Sequence, residues 1–95
     1  LFRSHCFAAV CTITAGILLH LSPTEWIIIT LCIGLVLAAE AVNSAIEALA
    51  DRVSAEYDEA IKRTKDLAAG AVLLLAIASA IVGLIIFLPK LIALT

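Results

Sequence analysis

Three long apolar runs restrict what this sequence can fold into more than any other feature. Each is close to the length of about 20 residues at which a helix crosses the hydrocarbon core of a bilayer. Apolar residue types make up 64% of the 95 residues, more than a soluble domain of this size can bury. The sequence therefore predicts one all-α integral membrane domain over residues 1–95, a three-helix bundle with spans at about residues 5–21, 26–50 and 67–88.

Turn signals and polar residues set the connections between the spans. Ser22-Pro23-Thr24-Glu25 predicts a tight turn, and Trp26 after it is a residue favoured at the membrane–water interface. Residues 51–66 are charged and polar, so they are expected to form the only sizeable loop. The third helix is then expected to begin at Lys65 and to end at Pro89.

The charges predict an orientation and argue against one class of partner. Lys90 is the only basic residue at one end of the layout, whereas the other end has several, so the positive-inside rule places that other end in the cytoplasm. A net charge of −2 without a long basic run argues against nucleic-acid binding. The residues that favour the cytoplasmic assignment are Arg3, Arg52, Lys62, Arg63 and Lys65.

The second helix carries a stripe of polar side chains that extends from membrane depth to its cytoplasmic end. At 3.6 residues per turn these side chains share one face, and at 1.5 Å per residue they span about 16 Å. An ionisable group about three turns inside a membrane helix is costly and usually marks a functional site. The acidic stripe consists of Glu40, Asn43, Ser44, Glu47 and Asp51.

Beside the stripe, Ala41, Ala45 and Ala48 form a strip of small residues where another helix can approach closely. Lys65 and Asp66 are expected at the same cytoplasmic level, at a helix N-terminus whose free N–H groups favour an anion. Carboxylates, an amide oxygen, a lysine and a helix N-terminus suit a magnesium-bound triphosphate and an attacking hydroxyl. The pattern therefore favours phosphoryl transfer at the membrane surface.

These motifs resemble the signature of the small prokaryotic diacylglycerol kinase family, which includes undecaprenol kinases. The resemblance covers essentially the whole chain, with the same three-span layout. It rests on Glu40-Ala-Val-Asn43-Ser-Ala-Ile-Glu47 with Asp51, on Glu56-Tyr57, and on Lys65-Asp66-Leu-Ala-Ala69-Gly-Ala-Val.

The resemblance implies an ATP-dependent lipid kinase. Its fold would be a homotrimer in the bacterial inner membrane, with active sites shared between subunits at the cytoplasmic face. The γ-phosphoryl group of MgATP would pass to the hydroxyl of a membrane lipid, undecaprenol or diacylglycerol.

The family pattern also implies a role for each matching residue. Glu40 would be the general base for the lipid hydroxyl, Glu47 would hold Mg²⁺ and ATP, and Ala69 would leave room beside the lipid. Asn43 and Asp51 would support the site, and the further nucleotide contacts would be Glu56, Tyr57, Lys65 and Asp66.

One element of the family pattern is expected upstream of this sequence. The family has a further metal-binding glutamate on a surface helix before the first span, whereas this sequence begins at Leu1-Phe2-Arg3. We therefore expect that the native chain includes that surface helix before residue 1.

Two other functions compete with the kinase interpretation. A proton- or cation-coupled transporter subunit would use Glu40 as its membrane carboxylate. The polar stripe stops at the cytoplasmic edge, however, and residues 27–39 are largely apolar, which disfavours a path across the membrane. A catalytically dead membrane scaffold is the third possibility, motivated by the upstream glutamate that the sequence lacks.

Overall fold

The computed structural model describes residues 2–53, 56 and 58–95, and these residues form a bundle of three antiparallel helices. Helix α1 comprises Phe2–Leu19, α2 comprises Pro23–Val53 and α3 comprises Glu59–Ala93. Helices α2 and α3 form the main contact of the bundle, and α1 packs against both over a smaller area. The bundle measures 55 × 20 × 16 Å, and the predicted all-α fold is confirmed.

Two of the helices are long and apolar enough to cross a membrane. They are α2, with 31 residues, and α3, with 35. Helix α1 has 18 residues, near the lower end of the range of about 17–25 that a span requires, so its crossing stays a prediction. Large apolar side chains on all three helices are exposed, among them Phe7, Leu31 and Leu74. Such a surface suits contact with lipid.

The polar segment between α2 and α3 is mostly helical, which contradicts the predicted loop at residues 51–66. Helix α2 continues to Val53, and α3 begins at Glu59, so the predicted start at Lys65 is wrong. Asp58 accounts for the earlier start, because its Oδ1 accepts hydrogen bonds from the N–H groups of Ala60 and Ile61 at 2.9 and 3.2 Å.

The predicted end of the third helix is also wrong. Helix α3 continues through Pro89 and ends at Ala93. A proline removes one backbone hydrogen bond, and membrane helices tolerate this loss where neighbouring groups compensate.

Near the N-terminal end of α3, Lys62 and Asp66 lie one turn apart and form an ion pair at 2.8 Å.

A tight turn at residues 20–22 joins α1 to α2, slightly earlier than the predicted Ser22-Pro23-Thr24-Glu25, because Pro23, Thr24 and Glu25 already belong to α2. His20 has a positive φ of 57°, and the N–H of Leu21 donates to the carbonyl of Gly16 at 3.2 Å. This is the Schellman arrangement that commonly ends helices. A Cβ on Gly16 would lie 2.7 Å from Trp26 Cη2 and 2.9 Å from Leu21 Cδ1. The turn therefore requires glycine at position 16 to let α2 pack close to α1.

Ser22 and Glu25 cap the start of α2 reciprocally. Ser22 N–H donates to Glu25 Oε1 at 2.9 Å, and Glu25 N–H donates to Ser22 Oγ at 3.2 Å. This is a capping box, which satisfies two N–H groups at the helix end. Lys90 Nζ lies 3.1 Å from Glu25 Oε1, so the same carboxylate also ties α2 to the end of α3. The pKa of Glu25 is lowered from its ordinary value. The largest cause is the hydrogen bond from the Ser22 N–H, and the hydrogen bond and charge of Lys90 add to it.

We expect acid to destabilise the bundle partly through Glu25. Because its folded-state pKa is below the ordinary value of 4.5, the carboxylate contributes stability above that pH and loses the contribution as the pH falls through the folded-state pKa. Glu25→Gln removes this titration. Between about pH 6 and about pH 3 the unfolding midpoint in detergent should therefore fall less for the variant than for the wild type. Equal losses for both proteins would contradict the prediction.

Candidate active site

Glu40 is buried in the middle part of α2, opposite the start of α1. It is 3% exposed, and Glu40 and Asn43 are the only buried polar or charged residues in the described part of the chain. Glu40 Oε1 lies 2.9 Å from His5 Nδ1 on α1. The two atoms are close, but they are not aligned as a hydrogen bond, and neither has another partner among the described residues. The membrane carboxylate of the sequence prediction thus faces an imidazole.

Asn43 lies one turn further along α2. Its Oδ1 is buried and has no partner in the described ranges. It borders a hollow of about 310 Å³ between α2 and α3 that is otherwise lined by apolar residues, including Ala39, Ala68 and Ala71. A buried amide oxygen without a partner is costly, so Asn43 is a polar group whose partner the described residues do not supply.

Glu47 and Asp51 lie towards the end of α2 and are exposed, as is Ser44. Asp51 Oδ1 accepts a hydrogen bond from Lys65 Nζ on α3 at 2.6 Å. This bond raises the pKa of Lys65, partial burial opposes the change, and the nearby charge of Glu47 adds to it. The structure therefore brings Lys65 to the acidic stripe, although Lys65 is inside α3 and not at its N-terminus.

The other predicted nucleotide contacts are less closely associated with the stripe. Asp66 pairs with Lys62 along its own helix at 2.8 Å. Ala69 is exposed on α3, one turn beyond Lys65. Glu56 is exposed in the connection between α2 and α3, and Tyr57 lies outside the described residues.

Oxygen ligands for a metal ion are present, but they are few. No group of three His, Cys, Asp or Glu side chains that could hold a metal ion occurs within residues 2–53, 56 and 58–95. Magnesium usually binds through one or two carboxylates, substrate phosphates and water. The exposed carboxylate of Glu47 is of the type that such a site uses, whereas the amide oxygen of Asn43, one turn earlier on α2, is buried.

Sequence reasoning missed His5 as the partner of Glu40. No second metal ligand or acidic partner lies at helical spacing from His5 on α1, so the sequence pattern assigns it no role. The pairing joins two helices, so the periodicity of one helix cannot reveal it. The available signal was distance from the turn, since His5 and Glu40 lie at similar separations on either side of residues 20–22.

The comparisons with known proteins agree with one another, and their matches cover nearly the whole chain. The family model described as "Prokaryotic diacylglycerol kinase" matches residues 1–87. The "Undecaprenol kinase" of Bacillus subtilis (strain 168) is 44% identical over 90 residues, which cover 95% of this chain and 73% of that protein. The "Diacylglycerol kinase" of Synechocystis sp. is 46% identical over 94 residues, 98% of this chain and 54% of that protein.

A more distant relative also matches most of the chain. The "Diacylglycerol kinase" of Escherichia coli (strain K12) is 32% identical over 80 residues, which are 84% of this chain and 66% of that protein. The chain thus spans between 54% and 73% of the length of these three relatives.

Proposed function

The chain belongs to the prokaryotic diacylglycerol kinase family, and on that basis we propose that it is a membrane lipid kinase. It transfers the γ-phosphoryl group of ATP to the hydroxyl of undecaprenol or diacylglycerol, at the cytoplasmic face of the bacterial inner membrane. The observation that carries the proposal is the buried Glu40 on a membrane helix whose polar end also holds Asp51 and Lys65. The transporter and scaffold alternatives have no comparable support from the relatives, which are named as kinases.

Glu40 acts as the general base in this proposal. A lipid alcohol cannot leave the bilayer, so the group that removes its proton must lie at membrane depth. Glu40 meets this requirement, because it lies 11 residues before Asp51 on α2, or about 16 Å along the helix. Proton transfer to a positioned carboxylate makes the hydroxyl oxygen a better nucleophile for the γ-phosphorus.

The polar end of α2 and α3 binds the nucleotide in this proposal. Glu47 and Asn43 would hold Mg²⁺, which neutralises charge on the phosphates when it is bound with ATP. Lys65 carries a positive charge beside the stripe and suits a phosphate oxygen. Asp51 orients Lys65 through their 2.6 Å ion pair. The residues that we assign to the nucleotide are Glu47, Glu56, Tyr57, Lys65 and Asp66.

Glu47→Gln should raise the Mg²⁺ concentration needed for half-maximal activity. The amide keeps the size of the side chain but removes a charged ligand, so we expect an increase of about 10-fold. The measurement is a Mg²⁺ titration of lipid phosphorylation at saturating ATP. Glu59→Gln, an exposed change in the first turn of α3, is the matched control. An unchanged Mg²⁺ requirement for Glu47→Gln would exclude Glu47 as a metal ligand.

We also propose that the protein assembles as a homotrimer. Ala41, Ala45 and Ala48 are exposed on α2 of the single chain, and neither α1 nor α3, within their described residues, covers them. Small residues allow close packing between membrane helices, so this face suits a second copy of α2 or α3. A homotrimer whose copies complete one another's sites would also supply oxygen ligands beyond Glu47 and Asn43.

Phosphoryl transfer from labelled ATP in mixed micelles tests the proposed function. Undecaprenol and diacylglycerol are offered separately, and labelled lipid is extracted and quantified with and without Mg²⁺. We expect one of the two lipids to be phosphorylated in a Mg²⁺-dependent reaction. Labelling of neither lipid would overturn the proposal.

Ala69 is assigned to the lipid site, so Ala69→Leu should raise the KM for the preferred lipid and leave the KM for ATP unchanged.

A further inference from the structure

We propose that His5 is a positioning residue that holds the Glu40 carboxylate in the orientation needed to accept the lipid proton. The inference rests on the proposed function, because it assigns a partner to the general base of that reaction. His5 and Glu40 belong to different helices, α1 and α2, and their Nδ1 and Oε1 atoms are 2.9 Å apart. His5 thereby connects α1 directly to the reacting group.

The surroundings of Glu40 leave His5 as its candidate partner. The Glu40 side chain is 4% exposed, and that of His5 is 22% exposed. A carboxylate at membrane depth requires a donor or a cation to offset its desolvation. Two of the lysines are paired elsewhere, Lys65 with Asp51 at one end of the bundle and Lys90 with Glu25 at the other. Within the described residues, the imidazole is the group within reach of Glu40 Oε1.

His5 also borders the space between the three helices. It is one of the residues that line a hollow of about 260 Å³, together with Ala8 and Thr12 of α1, Val36 of α2 and Ala80 of α3. The hollow is largely apolar. Glu40 itself does not line this hollow, so His5 is the residue that borders the apolar space and also lies within 2.9 Å of the carboxylate.

The imperfect alignment of the two groups is consistent with a role in the reaction. Hydrogen bonds in a catalytic site are often poorly aligned without substrate and tighten when substrate binds. For His5 to donate, its Nδ1 must carry the proton, and the donated N–H then fixes the carboxylate plane. A small misplacement of a reacting group lowers the rate even when the substrates bind normally.

A purely structural role for His5 makes different predictions from a positioning role. Loss of a structural contact would lower the folded fraction and the unfolding midpoint, but the folded enzyme would keep its kcat. Loss of a positioning contact lowers kcat and leaves the KM for ATP unchanged. Asparagine can place an amide N–H near the position of Nδ1, whereas glutamine extends its amide towards the position of Nε2. His5→Asn should therefore restore activity that His5→Gln does not.

The test measures kcat and the KM for ATP on the lipid that the wild type phosphorylates, per folded protein. We expect His5→Ala and His5→Gln to lower kcat about 10-fold and His5→Asn to restore most of the loss. His20→Asn is the matched control, because His20 lies at the other end of α1 and asparagine tolerates its positive φ. In the Glu40→Gln background, His5→Ala should cause little further loss, since its effect acts through Glu40.

Three outcomes would overturn the inference. The first is a wild-type kcat for both His5→Ala and His5→Gln. The second is full additivity of His5→Ala with Glu40→Gln, and the third is equal activity of the Asn and Gln variants. In each case an active wild type and an inactive Glu40→Gln variant would leave the proposed function intact. An inactive wild type would overturn the proposed function and the inference together.

Discussion

Glu40→Gln is expected to lower kcat for lipid phosphorylation by about 100-fold or more, which is the usual effect of losing a general base. The amide has nearly the same shape as the carboxyl group, but it cannot take up the proton of the lipid hydroxyl. Folding should be retained, because a neutral amide costs less than a carboxylate at membrane depth and its oxygen can replace the carboxylate oxygen that faces His5. The loss should therefore be confined to the chemical step.

Three measurements separate this effect from loss of structure. The KM for ATP should stay near the wild-type value, because Glu40 is buried and lies about three turns along α2 from Asp51, which forms the ion pair with Lys65. The helical circular dichroism should be unchanged, and Glu59→Gln should keep wild-type activity as an exposed Glu-to-Gln control. A rate for Glu40→Gln within a few-fold of the wild type would exclude Glu40 as the base.

Gly16→Ala should destabilise the bundle by about 1–3 kcal/mol, the usual cost of an overpacked site. The added Cβ would lie 2.7 Å from Trp26 Cη2, at the tip of a rigid indole, and 2.9 Å from Leu21 Cδ1. Leu21 is buried with Ile29 and Ile86, and Trp26 packs against this cluster. Relief of the overlap therefore requires movement of α1 away from α2 or a shift of the cluster.

Gly34→Ala provides the matched control for this prediction. A Cβ on Gly34 would meet no atom within 4 Å, and the residue lies inside α2. Alanine has a higher helix propensity than glycine, so this variant should be as stable as the wild type or more stable. The measurement is thermal unfolding in detergent, followed by circular dichroism. Similar midpoints for the two variants would contradict the close approach of α1 and α2 at Gly16.

The helical fold and the turn between α1 and α2 could be predicted from the sequence, because long apolar runs and turn signals act locally. The start of α3 could not, because a run of charged residues is compatible with either a loop or a solvated helix. The competing factors were the capping side chain of Asp58 and the i, i+4 pair of Lys62 and Asp66. Both favour a helix over the polar composition of the segment.

The candidate site was partly predictable for a similar reason. Helical periodicity placed Glu40 and Asn43 on one face of α2, and both are buried there. The lengths of the helices predicted that Lys65 lies at the same height in the membrane as the polar end of α2, and Lys65 pairs with Asp51 there. The contact of His5 with Glu40 depends on how α1 packs against α2, which no single-helix pattern contains. The assigned roles of these residues stay predictions.

The early start of α3 has a consequence for the proposed nucleotide binding. Because α2 continues to Val53 and α3 begins at Glu59, the groups assigned to the phosphates are attached to two rigid helices linked by Asp51 and Lys65. A long mobile loop would lose conformational entropy when it closed over ATP. A helical hairpin has already lost that entropy on folding, so preorganisation leaves more of the interaction energy for affinity.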